Sequence, residues 1–296
     1  MMSKKPAPTI PDLAMGGQAV IEGVMIRTGD IFAVAVRAKN KKIATKKEVI
    51  KSLLPKKSIL RKPFLRGFPF LIDTLMVGFN ALEFSAEKSQ GEKQTMSKSE
   101  LIITVLFSVV MVVGIFIGIP FVLAGFITKD KGILFHFIDG LLRGLIFLIY
   151  LLIISRFKDM RRIFEYHGAE HMAIATYEAK EKLTIKNVRK HQKEHPRCGT
   201  SFLLIVLIMS IIVHSFVIVD NKLILFASRI ILIPIIAGIS YELLKASAKL
   251  QKYAIFRPIT WPGMWLQYIT TQEPDDSQIE VAITAVNRVI GKDAKA

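Results

Sequence analysis

At 296 residues the chain is long enough for one large domain or two small ones, and 51% hydrophobic residues with a mean hydropathy of +0.41 exclude a disordered polymer. Charged residues make up 22% of the chain, yet none falls between residues 101 and 127, which argues against a purely soluble protein. Lysine and arginine number 41 against 24 acids, a formal net charge of +17. That excess suits contact with anionic lipid or RNA, and also the cytoplasmic loops of a membrane protein. The single cysteine, Cys198, excludes an internal disulfide and a zinc site built of cysteine alone.

Residues 1–12 carry lysines but no apolar run, so no cleavable secretory signal is expected. Residues 18–27 and 31–37 are rich in valine and isoleucine. The Thr28-Gly29-Asp30 break between them predicts a hairpin or small meander over 18–37. Residues 39–62 read as a basic stretch of low structural specificity. Residues 64–86 carry apolar side chains at helical spacing (Leu71, Leu75, Val77, Phe79, Leu82) together with Arg66, Asp73 and Glu83. They predict an amphipathic helix, either lying in the membrane interface or packed as in a soluble domain.

Four segments are then long and apolar enough to span a bilayer: 101–127, 133–154, 200–219 and 223–244. The first is interrupted by Gly114, Gly118 and Pro120; the others carry Asp139, Arg143, His214, Arg229 and Glu242. The connections at 128–132 and 220–222 are short. By contrast, residues 1–100 hold 18 lysines and arginines, 155–199 hold 11 and 245–296 hold 7. Four spans put all three basic regions on one side, and the positive-inside rule makes that side the cytoplasm. Beyond the spans, Trp261-Pro262-Gly263-Met264-Trp265 reads as a turn at the headgroup level. A last amphipathic helix is expected over 276–290, with Asp275, Asp276 or Ser277 as its cap.

The most specific chemical pattern is His167-Gly168-Ala169-Glu170-His171, the H-x-x-E-H arrangement of inverted zinc peptidases. Residues i and i+4 share a helix face, so both imidazoles can reach one ion, with Glu170 beside them as a base for metal-bound water. For the third ligand the sequence offers His195, Cys198 and Glu242, all at the cytoplasmic ends of spans. Glu178 is ~10 Å farther along the helix axis, too far to share an ion. Within the spans, Asp139 and Arg143 are spaced to pair at i, i+4. Arg229 has Asp139 or Glu242 as candidate partners, and a structural ion pair is the preferred reading of these charges. Phosphate-binding loops, dinucleotide fingerprints and nucleophile elbows are absent.

Several strings together resemble the YqhQ-like family of bacterial membrane proteins. They are Gly16-Gly17-Gln18-Ala19-Val20-Ile21-Glu22-Gly23-Val24-Met25, Tyr166-His167-Gly168-Ala169-Glu170-His171 and Arg197-Cys198-Gly199-Thr200-Ser201-Phe202, followed by a C-terminal set from Pro262-Gly263 to Gln278-Ile279-Glu280-Val281-Ala282. The likeness runs from about Gly16 to Ala285. It implies a membrane protein labelled uncharacterised or predicted to be a metal-dependent enzyme.

The expectation is therefore an all-α polytopic membrane protein with four transmembrane helices, a small N-terminal β element and cytoplasmic amphipathic helices, multi-pass in the plasma membrane. Its segments are a basic N-terminal region (1–100), a transmembrane hairpin (101–154), a basic loop with the histidine motif (155–199), a second hairpin (200–244) and a C-terminal region (245–296). One function expected of it is zinc-dependent hydrolysis at the cytoplasmic face, with His167 and His171 as ligands, Glu242, His195 or Cys198 as the third, and Glu170 as base. The alternative is a non-catalytic accessory factor of a protein translocation or insertion machine. Its basic runs 39–47 and 56–66 would then meet ribosomal phosphate or anionic lipid.

Overall fold

The computed structural model describes residues 15–50, 58–91, 98–129, 132–195, 198–250 and 257–291. Residues 1–12, and Lys56 and Lys57 of the second basic run, lie outside the described residues. The chain is mostly helical with one small sheet. Strands β1 (Met15–Val20), β2 (Gly23–Thr28), β3 (Ile31–Arg37) and β4 (Ile43–Val49) form an antiparallel meander in the order β1-β2-β3-β4. The Val and Ile alternation of β2 and β3 buries both faces, as the central strands of a doubly covered sheet require. Strand β4 lies inside the basic stretch to which the sequence assigned no structure. Its Lys46, Lys47 and Glu48 are tolerated because it is an edge, with much of the strand exposed.

Helix α1 (Gly67–Gln90) covers one face of the sheet, placing Val77 and Ala81 on Val20, Met25, Phe32, Val34 and Val36. Of the two readings open for this segment, the packed one therefore holds for its sheet-facing side. On the opposite face lie α5 (Lys158–Glu178) and α11 (Asp276–Ile290), which bring Tyr166, Ala169, Met172, Ile279, Ala282 and Val286 onto Val24, Ile26, Ala33 and Ala35. Helix α11 has the bounds its pattern predicts. Its cap is a capping box: the Asp275 side chain accepts from the Gln278 N–H, and the Gln278 side chain accepts from the Asp275 N–H. The Gln278 amide also donates to Glu165 on α5, so the cap joins the two helices.

The apolar helices rise from this layered domain. Helix α2 (Lys98–Val113), a π-helical turn at Gly114–Gly118 and α3 (Ile119–Ile127) form one apolar run. The Ile119 N–H donates to the Gly114 carbonyl, an i→i+5 step just before Pro120, which lacks a donor of its own. Helix α4 (Ile133–Ile154) returns antiparallel to it. The run Ile102–Ile127 and α4 are long and apolar enough to cross a membrane. A third candidate is α8 (Lys222–Ile231) with α9 (Ile233–Leu250), bent by 43° where Pro234 opens the second helix. Helix α7 (Gly199–Ser215) is apolar but has 17 residues. At ~1.5 Å per residue it falls short of a ~30 Å hydrocarbon core when upright. Two or three candidate spans thus stand where the sequence predicts four of similar length.

A short helix α6 (Ile185–Val188) sits in the loop after α5, and α10 (Arg257–Thr270) corrects the turn expected at 261–265. The Pro262-Gly263 pair lies inside the helix. At Gly263 any Cβ would run into Ser201 on α7, so the glycine permits close helix contact rather than a turn. Asp275→Ala, which removes the cap acceptor, is expected to cost about 1 kcal/mol. Thermal unfolding in detergent should show a lower midpoint than the wild type, with Asp275→Asn close to unchanged.

Candidate functional site

The histidine motif occupies the face of α5 turned away from the sheet core. Tyr166, Ala169, Met172 and Ala173 point into the core, and the 3.6-residue period leaves His167, Glu170 and His171 toward the edge beyond β1. The hairpin turn fixes this helix to the sheet. Glu22, in the left-handed region at φ 53°, ion-pairs with Arg162 and accepts from the Tyr166 hydroxyl at 3.2 Å.

Each imidazole is oriented through Nδ1. His167 Nδ1 lies 2.8 Å from the Thr270 carbonyl and His171 Nδ1 2.5 Å from the Lys193 carbonyl. A carbonyl only accepts, so both Nδ1 atoms carry a proton, and the neutral form of each ring then has its lone pair on Nε2. Histidines that bind metals are commonly oriented by such a hydrogen bond from the other ring nitrogen. The ring centroids are 4.3 Å apart. Cys198, the N-cap of α7, brings Sγ to 3.3 Å from His167 Nε2, and its sulfur also accepts from the Thr200 N–H and hydroxyl. His167, His171 and Cys198 offer ligand atoms that all lie within 4.8 Å of one another. Among the described residues no other set of three such groups converges this way.

Glu170 is 4% exposed, with Oε2 3.9 Å from Nε2 of both His167 and His171. Burial pushes its carboxyl above the usual range, and the neighbouring His167 and His195 only partly oppose that. Burial also pushes His171 below the ordinary imidazole value, which favours the neutral, lone-pair-bearing ring. Gly17 on β1 explains how the strand passes so close: a Cβ there would lie 2.5 Å from Glu170 Oε1. The cluster opens into a cleft of 630 Å³ whose lining is mainly apolar.

Of the three candidate third ligands, the structure brings only Cys198 into the group. His195 lies alongside, its ring centroid 5.7 Å from that of His171 and its Nε2 3.4 Å from Glu178. Its backbone is clamped by Gln267, which accepts from the His195 N–H at 2.7 Å and donates to its carbonyl at 2.9 Å. Glu242 belongs elsewhere: it pairs with Arg66 through both carboxylate oxygens, at 2.6 and 2.7 Å. Gly17, Thr270 and Gln267 stand in the strings that carry the family resemblance, but neither they nor Lys193 is marked by the sequence as part of the site. Only Gly16-Gly17 inside a strand carries a local signal, that of close backbone approach; the two carbonyls carry none.

The charges on the apolar helices form a separate cluster. Asp139 Oδ2 lies 3.1 Å from Arg143 Nη2 and 3.1 Å from Arg229 Nε, so the partner expected for Arg229 is Asp139 rather than Glu242. Arg229, 1% exposed, also reaches His136 Nδ1 at 2.8 Å. One carboxylate between two guanidiniums pins α4 to α8. Asp139→Ala would leave both cations without it, at a cost of roughly 3–5 kcal/mol. Unfolding in detergent should show that loss, with part of it recovered in Asp139→Ala/Arg229→Leu.

These features define a class: a chain with apolar, membrane-length helices and a buried histidine–cysteine cluster beside a glutamate. The family described as "Protein of unknown function (DUF1385)" matches residues 62–292, and the chain belongs to it. The chain is 33% identical to "Uncharacterized protein YqhQ" of Bacillus subtilis (strain 168) over 313 residues, covering 99% of this chain and 96% of that protein. No solved structure matches it significantly.

Proposed function

We propose that the chain is a zinc-dependent hydrolase whose site faces the cytoplasmic surface of the plasma membrane. The observation that carries this reading is the convergence of two imidazole lone pairs and the Cys198 sulfur beside a buried carboxylate, at the mouth of an open cleft. A tetrahedral ion with arms of ~2.0 Å to nitrogen and ~2.3 Å to sulfur has nitrogen–sulfur edges of ~3.5 Å. The 3.3 Å separation of His167 Nε2 and Cys198 Sγ agrees with that size. Zinc suits a set of two nitrogens and one sulfur. Three protein ligands would leave the fourth position to water, as in catalytic rather than structural sites. Glu170, made more basic by burial, would take the proton of that water.

The accessory-factor alternative rests on the basic surface, whose excess of +17 remains after every acid is counted, although four of its arginines have acidic partners within the chain. Arg37 pairs with Glu280, Arg66 with Glu242, Arg162 with Glu22 and Arg189 with Asp276.

Protein purified in detergent without chelators should carry about one zinc per chain. Elemental analysis should find it lost in His167→Ala/His171→Ala and reduced in Cys198→Ser. Glu170→Gln should keep the metal and lose hydrolysis. Wild-type protein with only a trace of metal would remove the reading.

The four-span topology is part of the same proposal. It takes α8–α9 as one bent span and α7 as its short partner, with both termini cytoplasmic. Reporter fusions in 129–132 and 220–222 should report outside and fusions in 180–194 inside; a cytoplasmic signal from either short connection would break it.

A further inference from the structure

The two edges of the sheet differ. Strand β4 carries Lys46, Lys47 and Glu48, the charges that keep an edge from pairing with another strand. Strand β1, Met-Gly-Gly-Gln-Ala-Val, carries none. The β1–β2 hairpin closes at Val20↔Gly23, so hydrogen-bonded pairs alternate back through Gln18↔Met25 and Gly16↔Arg27. The N–H and C=O groups of Met15, Gly17 and Ala19 therefore point away from β2, and among the described residues no backbone group pairs with them. The cleft of the histidine cluster runs along this edge. Residues 15–19 form its floor, Leu75 of α1 lines it from one side of the sheet, and His167 and Glu170 of α5 line it from the other. Leu203, one turn into α7, extends it toward the membrane.

We propose that this edge binds an extended, apolar peptide as a fifth strand, and that such a peptide is the substrate of the site. Five residues of β1 offer ~17 Å of edge, the length of an extended pentapeptide. Main-chain hydrogen bonds to Met15, Gly17 and Ala19 supply affinity, and the alternating side chains meet Leu75 on one side and the α5 face on the other. An acyl chain would fill the same apolar space but leave those amides without partners. Gly17 abuts Glu170, so a peptide paired there has a backbone carbonyl beside the histidine cluster. Hydrolysis balances with water alone. The water oxygen bonds to the carbonyl carbon, the C–N bond breaks, and Glu170 passes the proton it took from water to the leaving nitrogen, giving a carboxylate and an amine. The cleavage step rests on the zinc reading above; the strand pairing does not.

The test separates the two. The probe is a fluorescein-labelled hexapeptide amide of alternating valine and threonine, bound to the full chain in detergent with EDTA and read by anisotropy. Methylating alternate amide nitrogens of the probe should weaken binding by about tenfold or more, and so should Ala19→Pro, which removes one outward N–H and leaves the β1–β2 bonds in place. The methylated probe needs no variant, so misfolding cannot mimic its effect. Dodecanoyl amide should not compete. Equal binding of both probes, or displacement by dodecanoyl amide, overturns the peptide edge. With zinc and no EDTA, the peptide hydroxamate should bind more tightly than the amide, and His167→Ala/His171→Ala should abolish the gain. Loss of that gain in the wild type would sink the zinc reading while leaving the edge intact.

Discussion

Everything in the sheet-and-helix layer depends on one helix serving two surfaces. Helix α5 leaves the end of α4 after three residues and lies at once across the sheet. Its core face must bury Tyr166, Ala169, Met172 and Ala173 against β2, β3 and α11, and that packing fixes its rotation. With the rotation set, His167, Glu170 and His171 have one direction to point. A core substitution that turned the helix by a fraction of a residue would therefore move both imidazoles off the Thr270 and Lys193 carbonyls. Gly168 tightens the same constraint: a Cβ there would run into the Gln272 carbonyl, while the Gln272 N–H donates to Phe164 on α5. The segment after α10 is thus laced to the helix that carries the motif.

One ionic contact ties the apolar helices to this layer and another ties them to each other. Arg66 and Glu242 join the start of α1 to α9, and Gly238 lets the Phe64 backbone approach α9 closely beside them. Deeper, Asp139 sits between Arg143 and Arg229. Desolvating three charges offsets much of their mutual attraction, so their contribution is to register rather than to net stability. Helix α5 begins a new phase after the extended Phe157, so its own packing on the sheet, not the register at Asp139, directs the motif histidines.

What could be read from residues alone followed from how local the cause was. Helix α11 has its cap and its apolar spacing within sixteen residues, so its limits follow from the sequence. The two histidines are likewise one helical turn apart, so their adjacency follows from the spacing alone. Choosing Cys198 over Glu242 required knowing that Arg66, far away in the chain, pairs with Glu242. Strand β4 was hidden because its lysines describe an edge, and edges are defined by what lies beside them. The α10 helix was hidden because Pro262-Gly263 reads as a turn until Ser201 is seen to press on the glycine. The two long apolar helices were plain from composition. The 43° break and the shortness of α7 decide how the rest crosses, and hydropathy alone does not convey them.

The shortness of α7 has a consequence for the cluster at its end. Cys198 is the N-cap of this 17-residue helix, and Gly263 presses α10 onto its first turn. The histidines instead ride on a helix anchored to the sheet. A short apolar helix settles by adjusting its tilt and depth to the hydrocarbon around it. If α7 lies in the bilayer, the 3.3 Å between the cysteine sulfur and His167 is a joint between one body set by the lipid and another set by the sheet. On the four-span reading, thickening or thinning the lipid would stretch or close that joint, making membrane thickness a coordinate of the site's chemistry.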